Sequence, residues 1–156
     1  MEEELTIIAK SVNDAVKDTG EKINKSMSMV FLCIDLSTGD GFYLNAGHPG
    51  IYLLKKDGKA KPILKPGDLL GYDEKPKFGQ ETFSLASGDG LFIYTDGLLE
   101  NRGPNNKTLT SRELHRILSS QEDLEALKST LLKKTQDTWQ GEDPIDDYTF
   151  LILKKK

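Results

Sequence analysis

The chain has 156 residues, 37% of them hydrophobic and 29% charged, with a formal net charge of −4. That is enough chain for one domain with a real core and too little for two comfortable ones, too apolar for a disordered segment, and without the basic footprint of a nucleic-acid binder. A single cysteine, Cys33, excludes an intramolecular disulfide and suits a cytoplasmic location, while no run approaches the ~20 apolar residues that cross a bilayer.

The acidic start, Met1-Glu2-Glu3-Glu4, is the reverse of a signal-peptide n-region. Leu5, Ile8, Val12, Ala15, Val16 and Ile23 then recur at helical spacing and predict an amphipathic helix. Met27 to Leu36 is a nearly continuous apolar run of the kind a buried strand shows, with Cys33 in its middle as a small buried side chain. Phe42-Tyr43-Leu44 and Ile51-Tyr52-Leu53-Leu54 follow as further strands. Lys56-Asp57-Gly58-Lys59 predicts a two-residue hairpin turn, so this part reads as a β-meander. Gln80 to Leu85 alternates like a half-buried strand, and Leu91 to Thr95 reads as a strand buried on both faces. Leu114, Ile117 and Leu118 mark one helix, with Thr110 or Ser111 placed to cap it. Leu124, Leu127 and Leu131 mark a second helix, and Tyr148 to Leu153 closes the chain as a strand. Helix, antiparallel strands, two helices and a strand make an α+β class, here one domain over residues 1–156.

The residues with chemical promise are carboxylates at strand ends. Asp96, in Tyr94-Thr95-Asp96-Gly97, follows the most apolar strand, and Asp146 and Asp147 precede the last one. A sheet fixes the backbone of such residues, and hard cations such as Mg²⁺ and Mn²⁺ take oxygen ligands of this kind. Aspartate also caps turns, and on residue type alone that is the commoner role at such positions. His48, in Asn45-Ala46-Gly47-His48-Pro49, stands apart from the other histidine and reads as a hydrogen-bonded turn residue. The turns Gly39-Asp40-Gly41 and Gly88-Asp89-Gly90 need no ligand to explain them. No nucleophile elbow, P-loop or dinucleotide fingerprint is present.

Four blocks in order resemble the SpoIIE-type (stage II sporulation protein E) branch of the PPM serine/threonine protein phosphatases. They are Met29 to Gly39, the Asn45-Ala46-Gly47-His48-Pro49 signature, Gly88 to Glu100 with its Tyr94-Thr95-Asp96-Gly97-Leu98 core, and Asp146 to Leu153. The resemblance implies an α-β-β-α sandwich of antiparallel sheets with a two-metal Mn²⁺ or Mg²⁺ site. It makes Asp96 and Asp146 metal ligands, with Asp147 the alternative one residue on, and gives Gly97 the shaping of the metal loop. No catalytic side chain of the chain's own is implied, because a metal-activated water attacks the phosphomonoester.

The family's first metal-binding block, a Gly-Asp-x-x-Gly-His-Gly-like loop, is not present in these 156 residues. The chain therefore reads as the C-terminal part of the domain, weakly active or inactive by itself, with apolar surface that self-association into a homodimer would cover. The resemblance implies a signalling role with a phosphoserine or phosphothreonine protein as substrate, such as an anti-sigma-factor antagonist. A non-catalytic PPM-like regulatory module is the competing expectation.

Overall fold

A computed structural model describes residues 2–20, 25–120 and 123–156. Its contacts divide the chain into two compact units, Met1–Gly50 with Ile63–Ala86, and Ile51–Pro62 with Ser87–Lys156.

The first unit opens with helix α1 (Glu2–Gly20), and continues with β1 (Met29–Ile34), β2 (Asp40–Ala46) and β5 (Gly79–Ser84), which form an antiparallel sheet in the order β1-β2-β5. Register runs Leu32 to Tyr43 and Leu44 to Gln80. The helix packs Ala9 against Phe42 and Leu44, with Leu5, Phe31 and Phe78 around them. Its buried face is thus centred on Ala9 and Asn13, whereas Ile8, expected inward, is 50% exposed. Asn13 turns inward because it is fully used there: its Oδ1 accepts from the Gly71 amide at 3.0 Å and its Nδ2 donates to the Asp73 carbonyl at 3.0 Å. Ile23, counted in the same stripe, lies outside the described residues. The run around Cys33 also differs from expectation. β1 is half-buried along its whole length, Cys33 included, because it is an edge strand with a neighbour on one side only.

The second unit holds a four-stranded sheet in the order β4-β3-β6-β7, built from β3 (Ile51–Leu54), β4 (Ala60–Ile63), β6 (Gly90–Tyr94) and β7 (Phe150–Lys154). Between β6 and β7 come a single turn of helix, α2 (Gly97–Glu100), then α3 (Ser111–Leu118) and α4 (Leu124–Trp139). Tyr52, Phe92, Tyr94, Leu98, Leu114, Leu118, Leu127 and Leu131 form its core, with Phe150 and Ile152 of β7 packed against them. Thr110 is the helix cap: its hydroxyl accepts from the Glu113 amide at 3.2 Å, while the Glu113 carboxylate accepts from the Thr110 amide at 3.0 Å.

Two expectations are corrected here. The meander does not continue past β2, since β2 pairs with β1 and β5 while β3 pairs with β6. A ladder cannot run on through the 47–50 turn, where Pro49 has no amide to donate. The β3–β4 hairpin is also not a two-residue turn. The Gly58 amide donates to the Lys55 carbonyl (2.9 Å) and the Lys55 amide to the Lys59 carbonyl (2.8 Å). Only Gly58 is left-handed (φ 80), so Lys56-Asp57-Gly58 is a three-residue loop ending in the residue type that tolerates that backbone.

Candidate metal-binding site at the end of β6

Strand β6 is buried nearly throughout, which fixes the position of whatever follows it. Phe92 stacks on Tyr94 with ring centroids 5.6 Å apart and on Phe150 at 5.9 Å. Burial, and after it the neighbouring Tyr52, pushes the Tyr94 phenol up to about 12, so it stays neutral as part of an apolar floor. Thr95 then closes the ladder. Its amide donates to the Thr149 carbonyl at 3.0 Å, and its Oγ1 accepts from the Thr149 amide at 2.9 Å. The approach to β7 is thereby tied to the exit from β6.

Asp96 is the N-cap of α2, where its Oδ1 accepts from the Gly97 amide at 3.0 Å. The cap role anticipated for an aspartate at this point is therefore real, and the side chain is nonetheless exposed. Gly97 is where the two chain segments meet. A Cβ at this position would lie 2.4 Å from the Asp147 carbonyl oxygen and 3.3 Å from that of Asp146, so only glycine admits the Asp146-Asp147 backbone so close.

Asn101, which motif reasoning does not single out, holds that backbone in place. It is 1% exposed. Its Oδ1 accepts from the amides of Ile145 (2.7 Å) and Asp146 (2.9 Å), and its Nδ2 donates to the Asp146 carbonyl (2.6 Å). The Asp147 amide donates to Asp146 Oδ1 at 2.9 Å, and Trp139 meets Tyr148 edge-on at 4.6 Å immediately afterwards. Asp146 and Asp147 keep their side chains exposed on this clamped backbone. The only advance signal for Asn101 is its place just after the Asp96-Gly97 turn. A hollow of about 450 Å³ adjoins the site, bounded by Glu100, Asn101, Arg102, Ile145 and Asp146 among others.

The structure thus brings together the backbones of Asp96, Gly97, Asp146 and Asp147 within one unit. The donor set is oxygen alone, the chemistry that hard divalent cations take in preference to soft ones. Among the described residues, no three Asp, Glu, His or Cys side chains come together as a ligand set. The donors match such a cation in kind and fall short of a full shell in number.

The other motif residues serve structure. Asn45 Nδ2 donates to the carbonyls of His48 (2.9 Å) and Lys65 (2.7 Å), and Oδ1 accepts from the His48 amide (2.8 Å). His48 Nδ1 lies 2.7 Å from the Pro49 carbonyl, which can only accept, so that nitrogen carries the proton. Buried Asp89 bonds Lys55 Nζ and the Lys56 amide, which makes Gly88-Asp89-Gly90 a structural turn.

The sequence model of the stage II sporulation protein E (SpoIIE) family matches residues 1–156. Phosphoserine phosphatase RsbU of Bacillus subtilis is 26% identical over 96% of this chain and 44% of its own length. Protein IcfG of Synechocystis is 26% identical over 74% of this chain and 19% of its own. The chain therefore spans less than half the length of these curated relatives. Among solved structures, the RsbU and RsbW domains of Rv1364c from Mycobacterium tuberculosis match at 26% identity and TM-score 0.67, over 92% of this chain and 40% of that one. The SiaA-PP2C domain of Pseudomonas aeruginosa matches at TM-score 0.76 over 92% of this chain and 58% of that one, and at 18% identity speaks for the fold alone. That fold, helices with antiparallel sheets as in PPM phosphatase domains, is the class expected from the sequence. No helix among the described residues is long and apolar enough to cross a membrane. The family match over residues 1–156, on a chain whose Asp96-Gly97 turn meets Asp146-Asp147, places this protein in the stage II sporulation protein E family.

Proposed function

We propose that this chain supplies the Asp96 and Asp146 arm of a metal-dependent serine/threonine protein phosphatase centre. The observation that carries the reading is the contact of Gly97 with the Asp146-Asp147 backbone, which sets exposed carboxylates on two adjoining, rigidly held segments. Asp96 and Asp146 would hold the cation, with Asp147 the alternative to Asp146, and Gly97 keeps the loop free of a side chain. Bound Mn²⁺ or Mg²⁺ would supply an acidified water and neutralise charge on the phosphoryl oxygens. Asn101 and Thr95 keep the carboxylate-bearing backbones from drifting, so the acidic groups are positioned before any ligand arrives. RsbX and SpoIIE, studied with magnesium and manganese respectively, support the choice of cation.

The substrate under this reading is a phosphoserine or phosphothreonine protein of the anti-sigma-factor-antagonist type, handled in the cytoplasm. The name phosphoserine phosphatase RsbU, borne by a relative, supports that class. Both units belong to one PPM-type domain, across which the family match runs. With no three converging ligands among the described residues, this chain by itself turns over substrate far more slowly than a full family domain. The same shortfall favours a second reading, a non-catalytic regulatory module.

Hydrolysis of p-nitrophenyl phosphate with and without Mn²⁺, by this chain and by Asp96→Asn, tests the proposal. Slow turnover that needs Mn²⁺ and disappears in the variant supports the enzyme reading. Turnover as fast as a complete family domain contradicts the half-site account. No Mn²⁺-dependent turnover, even after an upstream segment is added, leaves the regulatory module.

A further inference from the structure

We infer that Arg102 takes the substrate's phosphoryl oxygens, in the hollow that it borders together with Asp146. The inference rests on the phosphatase reading and adds to it a phosphate-recognising residue of this chain's own. The hollow measures about 450 Å³, and Glu100, Arg102 and Asp146 are among the residues that line it. A substrate that reaches a cation on Asp146 must enter this space. Whatever completes the domain therefore leaves it open to a phosphoryl group.

The backbone is fixed on both sides of Arg102. Before it, buried Asn101 bonds the backbone of Ile145 and Asp146. After it, Gly103 is wedged against the last turn of α4, where a Cβ would lie 1.9 Å from the Thr138 carbonyl oxygen and 2.9 Å from Trp139 Cα. The Gly103 amide donates to the Lys107 carbonyl at 2.8 Å and closes a tight turn in which Asn105 and Asn106 are both left-handed (φ 59 and 58). That turn brings Asn106 Oδ1 to 3.5 Å from Arg102 Nη1, the outer limit of a hydrogen bond.

The guanidinium itself is nearly unspent. Its N–H donors form a planar fork, and its one side-chain bond among the described residues is the long one to Asn106. Glu100 and Asp146 line the same hollow, yet no carboxylate among the described residues pairs with it. What sets Arg102 apart from a merely solvated arginine is the pinned backbone on both flanks and the concave space shared with Asp146. A fork of donors matches two oxygens of a phosphoryl group at once, which an ammonium cannot do. The charges also set an order. Glu100 and Asp146 repel a phosphoryl dianion, so Arg102 holds it only once a cation has neutralised Asp146.

The test is calorimetric titration with O-phosphoserine at saturating Mn²⁺, beside Mn²⁺ titration followed by electron paramagnetic resonance, on the unaltered chain, Arg102→Ala and Arg102→Lys. Phosphoserine affinity should fall at least about tenfold in Arg102→Ala, as loss of a charge-assisted pair implies. It should fall by a smaller factor in Arg102→Lys, which keeps the charge and loses the fork. Mn²⁺ affinity should hold steady or rise in Arg102→Ala, because a positive neighbour of Asp146 has gone. Circular dichroism should stay unchanged, because the side chain is exposed. A purely structural role would weaken both ligands together. Phosphoserine binding that is absent, or equal in all three chains, or that falls only in step with Mn²⁺ binding, overturns the assignment of Arg102 and leaves the phosphatase reading standing. An unaltered chain that binds no Mn²⁺ overturns both.

Discussion

Two loops in this molecule are held by the same device and put to different ends. Asn45, 3% exposed, closes the turn after β2 with three hydrogen bonds, and Asn101, 1% exposed, closes the approach to β7 with three more. The first turn contains His48 and Pro49, and the one titratable side chain there is spent on the Pro49 carbonyl. The second carries Asp146 and Asp147, exposed and set against the glycine that follows Asp96. A buried asparagine is thus a structural clamp in both places. What separates a candidate site from a plain turn is the side chains that the clamped backbone displays.

The sharpest way to break this comparison is to remove both clamps. Asn101→Ala leaves buried backbone groups without partners, each orphan costing about 1–3 kcal/mol, so a loss of about 3 kcal/mol is expected in a urea titration with unchanged slope. Asn45→Ala should cost about as much by the same argument, yet Mn²⁺ binding should weaken only in Asn101→Ala. If both variants lose Mn²⁺ binding equally, the two loops are not functionally distinct.

Gly97→Ala comes next. The added Cβ must displace the Asp147 carbonyl, an overpacking cost of about 1–3 kcal/mol by thermal melting, with Mn²⁺ affinity falling alongside. An unchanged melting temperature would show that this close approach is not enforced. Asp96→Asn should scarcely touch stability, under about 0.5 kcal/mol, because asparagine caps a helix as well as aspartate does. Its charge is gone all the same, which separates function from folding at one residue.

The smallest effect belongs to Glu113. The bond from Lys134, then those from the Thr110 amide and hydroxyl, hold its carboxyl down to about 2. Because the folded value is lowered, the stabilisation is fully present above the ordinary 4.5 and is lost as pH falls toward about 2. The stability gap between the unaltered chain and Glu113→Gln, under about 1 kcal/mol at neutral pH for so exposed a pair, should close over that window. A gap that stays constant down to the lower limit would contradict the assignment.

How far the sequence could be read follows the same division. The β6 strand and the turns on either side of it were legible because an apolar run between glycine-aspartate turns has few alternatives. The Thr110–Glu113 capping box likewise specifies a helix start locally. Sheet membership was not legible: strand periodicity says that β2 and β3 are strands and nothing about whether they pair. α2 spans four residues, too few to show a helical period. The motifs named Asp96, Gly97, Asp146 and Asp147, but Asn101 looks in sequence like any polar loop residue. Its importance lies in bonds to residues 44 and 45 positions away.

The central claim is that Asp96 belongs to a cation site on a backbone shared with Asp146. The most direct test is Mn²⁺ titration followed by electron paramagnetic resonance, on the unaltered chain and on Asp96→Asn at matched stability. Saturable binding by the unaltered chain that is lost in Asp96→Asn, while the two melt together, is the predicted result. Equal Mn²⁺ binding by both chains would contradict the account.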